Sequence, residues 1–256
     1  MSESGRLLNS LGLEGAFEQR GMLGSGPVSE SWLLSGPDGL LVLRRDLPLA
    51  DVLGLDRQSE WTHLQTAYAA DLGPEPVARD FARGVLVTRY LEGTAWARFE
   101  TADWGSHGLL LRRVHELPST TAKHFDPVTV ARRYRLGTTA AHADALLERV
   151  VVLATALEQD GPACLCHHDA HRGNIIGTAP ARLIDWEYAA YGDPLFDLAV
   201  VCRFHDLQPR QCAELLAGWA LEPTDQDRFR ASCELYDAIA MLWQLAVSQG
   251  LKDRPD

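Results

Sequence analysis

No stretch of this chain approaches the roughly 18 consecutive apolar residues of a membrane-spanning helix. The opening Met1-Ser2-Glu3-Ser4 has neither the basic nor the apolar region of a secretory signal. A cytoplasmic protein without a membrane partner is the expectation. Basic charge is scarce, with 24 Lys and Arg against 35 Asp and Glu, a net charge of -11. That balance speaks against a nucleic-acid partner, which would want clustered cations, and is compatible with a small cationic substrate. Cysteine is sparse too. The five are scattered through the second half, and only Cys164 and Cys166 lie close, with no second pair to complete a zinc knuckle. They read as reduced, mostly buried thiols. There is no internal repeat and no low-complexity segment, and the oligomeric state is left open.

What is present is enough for one large domain or two small lobes: 256 residues, 46% hydrophobic. The first third reads as strands and turns around one helix. Trp32-Leu33-Leu34 and Leu40-Leu41-Val42-Leu43 flank Ser35-Gly36-Pro37-Asp38-Gly39, a hairpin signal, and Gly21-Met22-Leu23-Gly24-Ser25-Gly26 reads as a glycine-rich turn before it. Apolar residues recur at helical spacing over 56–70, and Gly84 to Leu91 reads as a further strand. After Gly93 the periodicity turns helical, around 109–115, 140–158, 211–220 and 228–247. The expected fold is α+β, with a small β-rich lobe over 1–92 and a larger helical lobe over 93–256. A cleft between them would be the natural ligand site.

The helical half has one exception, and it carries the chemistry. Cys166-His167-His168-Asp169-Ala170-His171-Arg172-Gly173-Asn174 leads into a short hairpin. There Asn174-Ile175-Ile176 pairs with Arg182-Leu183-Ile184 across the turn at Gly177-Thr178-Ala179-Pro180. Asp185 emerges directly after the second strand, eleven residues beyond Asn174. A structural Asp rarely sits where an apolar strand delivers it to a cleft edge. The H-x-D-x-x-x-x-N spacing puts a proton-accepting carboxylate and a metal-binding amide on one loop, which suits phosphoryl transfer. His167, His168 and His171 also suggest a zinc hydrolase, but no second metal-ligand motif accompanies them. Asp193 and Asp197 read as organisers of a helix start, with Asp193 the N-cap before Pro194.

The segment from His167 to Ala199 resembles the signature of the aminoglycoside phosphotransferase/choline kinase family, a relative of the protein-kinase fold. Its Ile184-Asp185-Trp186-Glu187-Tyr188-Ala189 looks most like the bacterial thiamine-kinase and choline-kinase branch. The resemblance implies ATP and Mg²⁺ as cofactors, Asp169 as catalytic base, and Asn174 and Asp185 as metal ligands. Glu187 would serve a second metal or face the substrate, and His171 would pack near the substrate. In the first lobe, Arg44 would hold nucleotide phosphates, steadied by Glu60. Arg stands where protein kinases carry Lys, and Arg45 competes for the role because adjacent strand residues face opposite sides. Gly24 and Ser25 would cover the phosphates with backbone N–H groups. Arg89-Tyr90-Leu91 resembles the linker that holds adenine.

The acceptor is less legible. A fixed positive charge would want aromatic faces and carboxylates, for which Trp186, Glu187, Tyr191, Tyr236 and Trp243 are candidates. Tyr236 and Trp243 lie two helical turns apart, though, and read more readily as a core stripe. The expectation is a kinase for a small cationic alcohol, thiamine first and choline second. An aminoglycoside or amino-sugar kinase is the enzymatic alternative, and a catalytically silent nucleotide-binding module the alternative of another class.

Overall fold

The computed structural model describes residues 3–118, 124–157, 163–177 and 180–252. Its sheet-rich part follows from period-two patterning. Helix α1 (Glu3–Ser10) precedes β1 (Glu18–Ser25), β2 (Ser29–Gly36) and β3 (Gly39–Asp46). Helices α2 (Leu49–Leu53) and α3 (Arg57–Ala69) follow, then β4 (Pro76–Asp80) and β5 (Val85–Arg89). The sheet is antiparallel in the order β1-β2-β3-β5-β4. On β3, Leu41 and Leu43 pack with Leu8, Leu34, Val85 and Val87. The intervening Val42 and Arg44 face the other way, into a cleft. Asp56 caps α3 by accepting from the Ser59 backbone N–H, so the helix begins where its Asp-Arg-Gln-Ser-Glu start signals.

The glycine-rich segment departs from expectation. Gly21 and Gly24 belong to β1 rather than to a turn, and bulges interrupt its pairing near both. The chain reverses only after Ser25, where Gly26 N donates to Ser29 O at 2.9 Å. Bulges insert an extra residue without ending a strand, which the glycines disguise as a turn in sequence.

The helical part contains α4 (Trp104–His115), α5 (Pro127–Leu136), α6 (Ala143–Leu157), β6 (Cys164–Cys166), β7 (Ile175–Ile176), β8 (Arg182–Leu183), β9 (Ala190–Gly192), α7 (Pro194–Phe204), α8 (Pro209–Trp219) and α9 (Gln226–Lys252). The motif hairpin forms as β7 and β8, with Ile175 opposite Leu183. Thr178 and Ala179 of its turn, and Glu158, lie outside the described residues. Helices α5 and α7 were missing from the periodicity reading. Nearly every residue of α7 is buried, so no polar face marks a period, while α5 is crowded with arginines. Helices α4 and α8 meet at backbone distance, because a Cβ on Gly108 would fall 2.1 Å from Leu215 O.

The two lobes are joined in more than one place. Leu49, Ala50 and Leu53 of α2 pack into the core made by α5, α6 and α9. Leu183 N donates to Leu72 O, and within the second lobe Trp96 Nε1 donates to Gly177 O at 2.6 Å. The motif hairpin is thereby pinned under the sheet, across the cleft from Arg44.

Candidate active site

The loop after β6 is shaped by groups that never touch a ligand. Asp197, fully buried in the first turn of α7, accepts from His167 N at 2.8 Å and His168 N at 2.7 Å. It also accepts from His115 Nε2 at 3.0 Å, whose Nδ1 in turn accepts from Trp219 Nε1. Burial works against the Asp197 charge, but these donors hold its carboxyl far below the usual range. The sequence expectation made Asp197 a helix-start organiser. Its carboxylate serves the loop instead, because α7 runs directly behind β6, while Asp193 caps α7 by accepting from Leu195 N. The stapled loop reverses at His168, whose φ of 62° is left-handed.

His167 is buried, and burial lowers its pKa to about 4, so the ring is neutral. Its Nδ1 accepts from Asp169 N and its Nε2 therefore donates to Ile184 O at 3.0 Å. One side chain thus ties the Asp169 loop to the strand end that carries Asp185. Asp169 projects into open space with its Oδ2 accepting from Asn174 Nδ2 at 3.0 Å. Burial first, then the charges of Asp185 and Glu187, push its carboxyl well above the ordinary value. His171 stacks on Phe204 with centroids 4.6 Å apart, and its Nε2 lies 3.8 Å from Asp169 Oδ2.

The strand alternation settles the arginine choice. Arg44 is buried in the cleft and Arg45 is exposed on the opposite face. Arg44 grips Glu60 through two hydrogen bonds, 2.5 and 2.7 Å, and reaches Asp185 at 3.4 Å. A second guanidinium, Arg57, was not anticipated. It donates to both oxygens of Asp46, to Glu60 at 2.8 Å and to Glu187 at 3.1 Å. Burial would raise Glu60, yet the two arginines hold it below its usual range. Glu187 goes the other way. Burial, then Asp185, raises it to about 8.

Two cavities flank this network. One, of about 280 Å³, is an apolar slot between Val42, Leu86, Ile176 and Ile184, with Gly24, Arg89, Tyr90 and Leu91 at its rim and Arg44 and Asp185 at its inner end. The Arg89 guanidinium is turned outward, donating to Asp38 O and Glu75. The other, of about 850 Å³, is a chamber bordered by Ser25, Asp169, His171, Asn174, Glu187 and Trp243. Asp185 and Gly24 border both.

Two of the aromatic candidates are not part of the chamber, though Trp186 borders the slot. Trp186 is buried, donates Nε1 to Leu183 O and packs edge-on to His167. Tyr191 is buried between His63 and His124. Asp185 has a left-handed φ of 64°, and the chain there sends Asp185 and Glu187 to the cavities and Trp186 into the core. Tyr236 and Trp243 pack against the core as the stripe suggested, but only partly. Both border the chamber, and Trp243 Nε1 donates to the Tyr188 hydroxyl at 3.2 Å. Phe125, Tyr134, Tyr188, Phe196 and Phe204 complete the aromatic wall. Tyr188 adjoins the motif and was within reach of sequence reasoning; Tyr134 on α5 and Phe125 just before it had no signal, because the periodicity there is weak.

The donor set fits a hard divalent cation. Five carboxylates (Asp46, Glu60, Asp169, Asp185, Glu187) lie with two guanidiniums here; burial first raises Asp169, Asp185 and Glu187, and neighbouring carboxylates add to the rise. Asp185, Glu187 and the Asn174 amide oxygen are the oxygen ligands that Mg²⁺ takes. The zinc reading has no support in the loop, where the imidazole nitrogens of His167 are committed to hydrogen bonds.

Comparison with known proteins agrees with this geometry. Thiamine kinases of Salmonella strains, Salmonella typhi among them, are 47% identical over 55 residues, which is 21% of this chain and 20% of theirs. The match thus spans about a fifth of those proteins. A choline/ethanolamine kinase family protein from Mesorhizobium loti has the same fold, with a TM-score of 0.75 and 21% identity over 99% of this chain and 89% of that one. A choline kinase from Streptococcus pneumoniae superposes with a TM-score of 0.79 at 20% identity, covering 98% and 92%. An aminoglycoside phosphotransferase from Streptomyces rimosus superposes at 0.63, with 20% identity and coverage of 93% and 99%. The model of the phosphotransferase enzyme family matches residues 23–231. The chain belongs to the phosphotransferase enzyme family.

Proposed function

We propose that this protein is an ATP- and Mg²⁺-dependent kinase that transfers the γ-phosphoryl group to the hydroxyl of a small cationic alcohol, thiamine before choline. The observation that carries it is the position of Asp169. Its carboxylate stands in the aromatic chamber, held by Asn174, while Asp185 is shared between that chamber and the apolar slot. Residues 1–92 form the nucleotide lobe and 93–256 the catalytic and substrate lobe.

In this reading adenine lies in the slot against Val42, Leu86 and Ile184, with the backbone of Arg89, Tyr90 and Leu91 at its edge. The Streptococcus pneumoniae protein of the same fold has been solved with AMP. Arg44 contacts the phosphates, oriented by Glu60 and Arg57, and Gly24 and Ser25 cover them. Asn174, Asp185 and Glu187 would hold Mg²⁺, which would supply charge neutralisation for the transferred phosphoryl group. Asp169 accepts the acceptor's hydroxyl proton, and its raised pKa makes it the stronger base. His171, stacked on Phe204, closes the wall beside it.

Thiamine comes first because a chamber of about 850 Å³ with seven aromatic side chains suits two rings better than a lone trimethylammonium head. An ATP-consumption screen over thiamine, choline, ethanolamine, kanamycin and N-acetylmuramate tests the assignment. Thiamine is expected to turn over fastest. Turnover of kanamycin alone would favour the aminoglycoside reading, and turnover of none despite Mg·ATP binding would favour a silent module.

Two further outcomes follow from the geometry. Trp243→Ala removes one aromatic face and should raise the acceptor KM about tenfold, given roughly 1–2 kcal/mol for a cation over a desolvated ring. The KM for ATP should stay put, and an equal rise in both would remove Trp243 from the acceptor subsite. The second concerns pH. Glu187, raised to about 8, is more protonated in the folded protein than in the unfolded chain. Its contribution to stability is therefore full below the ordinary Glu range and falls as pH rises towards 8. In chelator, Tm should drop across that window, and saturating Mg²⁺ should flatten the drop. A Tm independent of pH in chelator would contradict the carboxylate cluster.

A further inference from the structure

Three of the five cysteines gather behind the catalytic loop, on three different helices: Cys202 on α7, Cys212 on α8 and Cys233 on α9. The Sγ atoms of Cys202 and Cys212 stand 2.7 Å apart, well inside the contact distance of two unbonded sulfurs. Cys202 is buried, whereas Cys212 is half-buried at the rim. Four residues separate α7 from α8, and the corner is fixed by Leu207 N donating to Cys202 O and Cys212 N donating to Gln208 O. These backbone bonds keep the two cysteines next to each other at the corner. The Cys202 thiol, hydrogen-bonded to Cys212, is pushed up, and the same bond lowers Cys212. Cys212 is therefore the more thiolate-prone and the more accessible of the two.

We propose that Cys202 and Cys212 form a redox modification site at which a hydroperoxide converts the two thiols into an intramolecular disulfide. The Cys212 thiolate attacks one peroxide oxygen; the O–O bond breaks, and Cys212 becomes a sulfenic acid. The Cys202 sulfur then attacks Cys212 Sγ. The S–S bond forms, the S–O bond breaks, and the hydroxyl leaves as water with the Cys202 proton. With hydrogen peroxide, two thiols and one peroxide give one disulfide and two waters. A dithiol reductant reverses the link by exchange.

The position ties the site to the loop. Helix α7 supports that loop on both sides of Cys202: Asp197 holds the His167 and His168 amides, Phe204 stacks on His171, and His205 Nε2 accepts from Arg172 N. Because the thiols already stand side by side, the link locks the α7–α8 corner without displacing these contacts. Oxidation should leave turnover within about twofold and raise Tm by roughly 5 °C, as expected for a short closed loop in a chain of this size.

The experiment treats the full chain with hydrogen peroxide, quenches with an alkylating reagent and maps peptides with and without dithiothreitol. The expected product joins the Cys202 and Cys212 peptides and is lost on reduction. In Cys212→Ser, the cross-linked peptide and the Tm gain should both vanish while untreated Tm stays near wild type. A link of Cys212 to Cys233, alkylation of both Cys202 and Cys212 after peroxide, or accumulation of sulfinic acid at Cys212 would each overturn the proposal. So would an equal Tm gain in Cys212→Ser.

Discussion

Asp169→Asn should lower kcat by about 10³-fold, in the middle of the range for losing a general base. It should leave Mg·ATP affinity and Tm near wild type. Asn matches Asp in shape and can still accept from Asn174 Nδ2 through its amide oxygen, so the loop keeps its 3.0 Å bond. What disappears is the proton acceptor. The carboxyl stands in a site where burial and the charges of Asp185 and Glu187 raise its proton affinity. An amide in that place has almost none. Because the acceptor loses its proton only as phosphoryl transfer proceeds, kcat and kcat/KM should fall together. Residual turnover above about a tenth of wild type would remove Asp169 as base. A collapse of Mg·ATP binding would instead make it a metal ligand.

The second large effect lies where no ligand reaches. Asp197→Ala should cost about 3–5 kcal/mol, because it strands the His167 and His168 amides and the His115 ring N–H, each an unsatisfied buried donor. Tm should fall on the order of 10 °C. Among molecules that remain folded, kcat should fall more than the acceptor KM, since the loop loses its hold on Asp169 while the chamber walls stay. Hydrogen exchange provides the distinguishing measurement, with the His167 and His168 amides losing protection well beyond that of α4. Asp197→Asn, which keeps an acceptor oxygen, should recover part of both effects. A Tm within a degree or two of wild type for Asp197→Ala would show the staple to be dispensable.

These two residues mark the limit of what the letters reveal. Asp169 is legible because its chemistry is local. The loop spacing to Asn174 and the short strands that bring Asp185 back are set within about twenty residues, so the pattern survives in one dimension. Asp197 was taken for a helix-start residue, since its partner amides lie about 30 residues upstream in sequence. Arg57 went unnoticed for the same reason: Glu187, one of its partners, is 130 residues away. Trp186 and Trp243 were both candidates for the chamber, and only Trp243 borders it. Proximity to the motif suggested Trp186 for the chamber, but the left-handed turn at Asp185 buries it. A helical repeat suggested core for Trp243, but α9 presents that face to the chamber.

The sequence by itself determined the reaction class, the strand that carries the cleft arginine and the division between a β-rich beginning and a helical remainder. Each is written in short-range spacing, period two or period 3.6, and the backbone must obey it locally. Only the tertiary structure decided that Arg44 rather than Arg45 enters the cleft, that a second arginine braces it, and that α5, α7 and α9 supply most of the aromatic wall. Those outcomes depend on which faces of distant elements meet. That is settled by burying apolar surface and pairing buried charge across the whole chain, which no local pattern records.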